Sequence, residues 1–184
     1  ATVYQAVGLY EDVTAATADE WGVTVRGRDA ELVPTDESNL ALRAARALAD
    51  HTGGQEPVHL TIHKEIPVAG GMAGGSADAA AALVACDALW GTDVPKDELE
   101  EIAAGIGSDV PFLLHGGTAV GSGRGEVVTA VLAKGRYHWV FVSSLACGLS
   151  TPRVYAAFDE RTAGTTLEAP PPARSHPREL GRRG

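Results

Sequence analysis

Residues 66–83, IPVAGGMAGGSADAAAAL, constrain this chain more than any other stretch. Ahead of them, Val58-His-Leu-Thr-Ile-His-Lys alternates apolar and polar residues, the period of two that marks a strand. After them, a run of alanines continues to Leu89 and Trp90, a helix of small residues. Between the two lie Gly70, Gly71, Gly74 and Gly75, then Ser76. Glycine has no Cβ, so backbone N–H groups can turn inward and an anion can approach closely. A helix N-terminus adds unpaired N–H donors and the positive end of the helix dipole. Strand, glycine loop, Ser and helix therefore make a chemically sensible phosphate cradle. The plainer reading is a glycine-rich turn joining a strand to a packed helix. Two familiar phosphate loops do not fit. The Walker pattern requires Lys after its second Gly, where this chain has Ser76 and Ala77, and no G-x-G-x-x-G occurs in the stretch.

Charge decides what else the chain can bind. Residues 1–164 carry 11 Lys and Arg against 22 Asp and Glu, net −11, while 165–184 carry four Arg against two Glu, net +2. An acidic body of this kind argues against nucleic acid as the main partner, so an anionic nucleotide has to be held by local donors. No apolar run approaches the roughly 18 residues of a membrane span, and no secretory leader is visible. Cys86 and Cys147 are widely spaced in apolar surroundings and read as buried free thiols in a reducing compartment, the cytoplasm. The six His show no metal-ligand spacing, and His59 and His63 fall on the polar face of their strand.

Pro67, Gly71-Met72-Ala73-Gly74-Gly75-Ser76 and Ala77-Asp78-Ala79-Ala80 together resemble the ATP loop of the GHMP superfamily (galactokinase, homoserine kinase, mevalonate kinase and phosphomevalonate kinase). The ending GGS-A-D-A-A looks most like the branch that phosphorylates 4-diphosphocytidyl-2-C-methyl-D-erythritol. A second stretch is similar to the same branch: Gly107-Ser-Asp109-Val-Pro-Phe112, then His115-Gly-Gly-Thr-Ala119 and Gly121-Ser-Gly-Arg-Gly-Glu126. The likeness covers roughly residues 1 to 160. It implies an α+β, two-layer N-terminal domain of the ribosomal S5 domain 2-like kind, followed by at most the beginning of a ferredoxin-like second domain.

Taken in order, residues 2–10, about 21–26 and 30–33 read as strands, and Ser38-Asn39 opens a helix that Gly53-Gly54 ends. Pro95 suits the first turn of a helix whose apolar face is Leu99, Ile102 and Ala103. Phe112–Leu114, Thr118–Val120, Val127–Val131 and Tyr137–Val142 read as strands. Ser150-Thr151-Pro152 starts a helix with Val154, Tyr155 and Phe158 facing inward. Residues 1–163 are expected to form the partial ATP-binding domain and the start of the second. The proline- and arginine-rich residues 164–184 are expected to be disordered. The chain opens within a strand and lacks an initiator Met, so truncation at both ends is expected.

The resemblance assigns roles residue by residue. It implies ATP with Mg²⁺, a phosphate cradle of Pro67, Val68, Ala69, Gly70, Gly71, Met72, Ala73, Gly74, Gly75, Ser76 and Ala77, and an adenine pocket bordered by Asn39, Leu40 and Lys64. Asp109 becomes the general base toward a substrate hydroxyl, and Tyr155 aligns with the aromatic that stacks on cytosine. Read without the family, Asp109 is a turn residue, Lys64 a solvated charge on a strand edge, Ser76 a helix cap and Tyr155 a core tyrosine. The family's A-K-x-N-L-x-L segment, which supplies a catalytic Lys, its G-Y-H element and its C-terminal glycine motif are all missing here. No metal ligands are legible, and oligomeric state is open. A cytidyl-methylerythritol kinase is the first reading. The others are a homoserine- or mevalonate-type kinase and a catalytically incompetent piece that keeps a nucleotide pocket.

Overall fold

Alternation along residues 58–64 survives in three dimensions. In the computed structural model, which describes residues 2–135, 137–142 and 150–165, Val58, Leu60 and Ile62 are fully buried while His59 and His63 are exposed. This strand, Val58–Lys64, is the middle of a three-stranded sheet and takes the label β4. Its neighbours are β2 (Asp12–Thr17), antiparallel, and β3 (Gly22–Gly27), parallel. A second sheet joins β1 (Thr2–Gln5) to β5 (Thr118–Ser122) and β5 to β6 (Val127–Ala130), each pair antiparallel.

Helices supply the other layer. Asn39 starts α1 (Leu40–His51): its side-chain oxygen accepts from Ala41 N–H at 3.0 Å and Leu42 N–H at 3.2 Å, satisfying amides that have no partner inside the helix. The alanine run forms α2 (Gly74–Trp90), ended by Gly91 in a left-handed conformation. Small residues let α2 pack closely against α1 and the β2–β4–β3 sheet, burying Ala79, Ala82, Leu83 and Cys86. Burial pushes the Cys86 thiol up to about 12, so it is an inert apolar filler. Helix α3 (Lys96–Ile106) buries Leu99 and Ala103 as its period requires. Burying large side chains such as Leu48, Leu60, Ile62 and Leu83 stabilises the domain by roughly 1.5–3 kcal/mol each.

Several expectations are overturned. Residues 112–114 are helical, not extended: they lie in α4 (Val110–His115), where Pro111 occupies the first turn that its fixed φ favours. Six residues are too few to display a helical period, so the apolar run misled. Ala30–Leu32 is a single 3₁₀ turn rather than a strand, and β2 at residues 12–17 was hidden because its inward residues, Val13 and Ala15, give weak contrast. Of residues 2–10 only 2–5 pair. Tyr137–Val142 forms no strand, and its side chains are exposed; among the described residues no strand lies beside it to complete a ladder.

The chain divides into a unit over residues 1–149 and another from residue 150. In the second, α5 (Thr151–Thr162) forms as expected, but Val154, Tyr155 and Phe158 are exposed rather than turned inward. Cys147 and residues 166–184, the bulk of the expected tail, lie outside the described residues. None of the described helices is long and apolar enough to cross a membrane.

Candidate active site

The glycine loop is built from alternating left-handed residues. Ala69, Gly71 and Ala73 have φ of 56°, 71° and 56°. Such alternation curls successive N–H groups toward one side and forms a concavity suited to anions. For the two alanines this backbone costs about 1 kcal/mol each, strain that persists only where the surroundings fix the loop. The loop then passes into α2, whose first amides, Gly74 to Ser76, have no partner within the helix. Ser76 is the third residue of α2, so its side chain does not cap the helix; the residue before the helix is Ala73, without a side-chain cap.

The four glycines are not equivalent. A Cβ at Gly71 would point into open space, as a phosphate cradle requires. A Cβ at Gly74 would lie 3.2 Å from Ile66 Cγ2 and 3.3 Å from both Glu11 Oε1 and Lys64 Nζ. Gly74 is therefore glycine because of what is packed beneath it. A Cβ at Gly75 would meet Leu40 Cδ1 at an ordinary 3.5 Å, which puts the N-termini of α1 and α2 side by side.

Beneath Gly74 lies a charge cluster the sequence did not disclose. Lys64 ends the central strand, not an edge, and its side chain is 2% exposed. Its ammonium donates to Glu11 Oε2 and to Asp78 Oδ2, the latter at 2.9 Å. Glu11 Oε1 accepts the Ile66 N–H at 3.2 Å, at the start of the loop. Burial, reinforced by the neighbouring Asp78 carboxyl, pushes Glu11 up to about 8 from its ordinary 4.5. Glu11 thus keeps its proton at neutral pH.

Asp109 precedes α4 but does not cap it with its side chain. Instead its Oδ1 accepts a hydrogen bond from the Tyr4 hydroxyl at 3.0 Å. The Tyr4 ring stacks on Phe112, centroids 4.6 Å apart. Its other side is accommodated by the β5–β6 turn: a Cβ on Gly121 or Gly125 would collide with the Tyr4 ring or hydroxyl. The motif Gly121-Ser-Gly-Arg-Gly-Glu126 therefore provides the slot for a tyrosine 117 to 121 positions away, counting from residue 4 to residues 121 and 125.

A cleft of about 840 Å³ brings several of these residues together: Gly71, Met72, Ala73 and Ala77 from the cradle, Asp109, and also Tyr4, Glu11 and Phe112. Pro67 to Gly70, Gly74 to Ser76, Asn39, Leu40 and Lys64 do not line it. Asn39 spends its side-chain oxygen on the α1 cap and its amide on Pro34 O at 2.8 Å. Tyr155 belongs to α5, in the other unit. Tyr4 and Glu11 were missed because neither carries a local motif.

Residues 39–117 match the family described as GHMP kinases N terminal domain. The fold and the loop agree with that match, and residues 39–117 are similar to the N-terminal domain of GHMP kinases. Within this class the chain is similar to 4-diphosphocytidyl-2-C-methyl-D-erythritol kinases. That of Kineococcus radiotolerans is 57% identical over 173 residues, covering 92% of this chain and 53% of the relative. That of Streptomyces avermitilis is 55% identical over 170 residues, covering 92% and 57%. A crystal structure of a 4-(cytidine 5′-diphospho)-2C-methyl-D-erythritol kinase aligns with a TM-score of 0.52 at 31% identity, covering 66% of this chain and 41% of that one. The Methanococcus jannaschii mevalonate kinase, at 10% identity and a TM-score of 0.56 over 71% of this chain and 49% of its own, shares the fold. The chain spans about half the length of the curated relatives it matches.

Proposed function

We propose that this chain binds ATP through the glycine loop and serves the phosphorylation of the 2-hydroxyl of 4-diphosphocytidyl-2-C-methyl-D-erythritol, a step of non-mevalonate isoprenoid synthesis. The observation that carries the reading is the shared cleft: the left-handed turn at Gly71 to Ala73 and the Asp109 carboxylate line the same cavity. In this reading the loop amides and the first amides of α2 hold the phosphates, and Asn39 and Leu40 border the adenine side. Asp109, its Oδ1 held by Tyr4, takes the proton of the attacking hydroxyl through Oδ2. The new bond joins the substrate oxygen to the γ-phosphorus, and the bond to the β–γ bridging oxygen breaks, releasing ADP. Tyr155 is the aromatic proposed for the cytosine. Base catalysis of this kind is worth about 10²–10⁴-fold.

Mg²⁺ is the expected companion of ATP. Among the described residues no group of three or more His, Cys, Asp or Glu stands ready to bind a metal. Magnesium in phosphoryl transfer commonly takes only one or two carboxylates beside the phosphates, so the ion would arrive with the nucleotide and would supply charge neutralisation. The cytoplasm is the proposed setting.

Incubating the purified chain with Mg²⁺-ATP and the cytidyl substrate, and following phosphorus NMR, tests the reading. The expected result is ADP together with a new phosphomonoester on the substrate. ATP binding without transfer would favour the incompetent-piece reading. Transfer to homoserine or mevalonate instead would overturn the substrate assignment.

A further inference from the structure

We infer that Glu11, Lys64 and Asp78 are positioning residues for the phosphate loop: one buried ammonium ties the strand that leads into the loop to the helix that leaves it. The inference rests on the nucleotide reading of the loop only for its functional consequence. It gives Lys64 a role other than touching adenine, the one the family resemblance implies.

Three observations converge. First, the contacts bracket the loop. Lys64 closes β4, Glu11 accepts the N–H of Ile66 where the loop begins, and Asp78 lies one turn inside α2 where the loop ends. A single side chain thus spans both ends of the segment whose shape makes the cradle. Second, the cluster is buried, with Glu11 alone of the three bordering the cleft. The side chains of Lys64, Glu11 and Asp78 are 2%, 1% and 4% exposed, and a methyl group at Gly74 would press tightly on Glu11 and Lys64. Lys64 itself does not line the cleft. Third, the loop is held in a backbone conformation that its alanines at 69 and 73 disfavour, so something outside it has to fix its ends.

The charge balance suits a site for a polyanion. Two ionised carboxylates behind the loop would leave the cluster net negative and oppose the phosphates. A proton retained by Glu11 removes one negative charge from behind the loop. The groups facing Glu11 are Lys64 from β4, Asp78 from α2 and the Ile66 amide. Glu11→Gln imitates the protonated form, whereas Lys64→Met removes the tie itself.

Amide hydrogen exchange and ATP titration calorimetry on the whole chain, for the parent, Lys64→Met, Lys64→Arg, Glu11→Gln and Asp78→Asn, test the inference. Lys64→Met is expected to speed exchange of amides 66–77 at least about tenfold relative to those of α1, and to weaken ATP by a similar factor. Lys64→Arg should recover part of both. Glu11→Gln should stay within about twofold of the parent at pH 7 and hold its ATP affinity above pH 8, where the parent loses it. Unchanged loop exchange in Lys64→Met would overturn the inference. Weaker ATP binding with unchanged exchange would do so too, by showing that Lys64 acts on the nucleotide directly. Should Lys64→Met not fold, Asp78→Asn carries the same comparison. A parent chain that ignores ATP would sink the nucleotide reading, while the exchange rates alone would still decide whether the cluster fixes the loop.

Discussion

On one side of the cleft, Gly71 to Ala73 offer backbone amides, and a buried ammonium with its two carboxyl groups fixes them from below. On another side, Asp109 offers a carboxylate, fixed by a single hydroxyl on a ring clamped between Phe112 and two glycines. Both arrangements give a polar group its orientation without spending its own side chain on the fold. They differ in medium. The loop depends on charges in a dry pocket, where removing one partner is costly. The Asp109 corner depends on packing and one neutral donor, where removing the hydroxyl is cheap. Charge perturbations should therefore register at the loop, and small steric or hydroxyl deletions at the corner.

The largest effect tests whether the two sides are separable. In a form of the protein that turns over, Asp109→Asn is expected to lower kcat by about two orders of magnitude or more while ATP affinity stays near the parent value. Steady-state kinetics beside calorimetry measure both. A parallel loss of ATP affinity would show that the corner and the loop are one unit.

Acidity separates them next. Glu11 binds its proton more tightly in the folded chain, about 8 against an ordinary 4.5, so between those values the native state retains a proton that the unfolded state has released. Stability is then highest below about pH 4.5 as far as this group is concerned, and falls as pH rises toward 8, by up to about 1.4 kcal/mol per pH unit. Chemical denaturation across that range should show the decline, and Glu11→Gln should flatten it. An equal slope in both proteins would remove Glu11 from the account.

Sterics come third. Gly74→Ala places a methyl against Ile66, Glu11 and Lys64, and is expected to destabilise the chain by about 1–3 kcal/mol in thermal or urea unfolding. Gly75→Ala, whose methyl meets only Leu40, is the control expected to change little. The smallest effect belongs to the corner. Tyr4→Phe keeps the stack on Phe112 and loses the hydroxyl, for about 0.5–1.5 kcal/mol of stability and a several-fold fall in kcat with KM nearly constant. If Tyr4→Phe cost more than Gly74→Ala, the contrast drawn between a charged and a packed support would be reversed.

The sequence disclosed what chemistry keeps contiguous. A phosphate cradle needs neighbouring glycines and a helix start, so residues 66–83 could be read directly, and Asp109 was marked by its own short motif. It concealed what folding assembles. Glu11 and Lys64 are 53 positions apart, and Tyr4 and Asp109 are 105. Asp78 stood in the motif, but the motif alone assigned it no role. Lys64 was misread because an alternating strand does not say whether it sits at the edge of a sheet or in its middle. The apolar run at 112–114 was misread because a helix of one and a half turns, 110–115, looks like a short strand.

The order of the first sheet has a consequence for how the chain acquires its shape. Strands β2 and β3 are separated by only four residues, 18–21, yet they do not pair with each other; β4 lies between them. No local hairpin can form, and both strands wait for a partner that ends 37 residues after Gly27, at Lys64. At about 5–20 residues per second, a ribosome leaves these strands without their partner for roughly 2–7 s. Non-local pairing of this kind slows folding, because loop closure has to precede the contacts that reward it. The acidic residues Asp12, Asp19 and Glu20 lie in and beside the waiting strands, and charge of this kind on an unpaired strand opposes pairing with another chain.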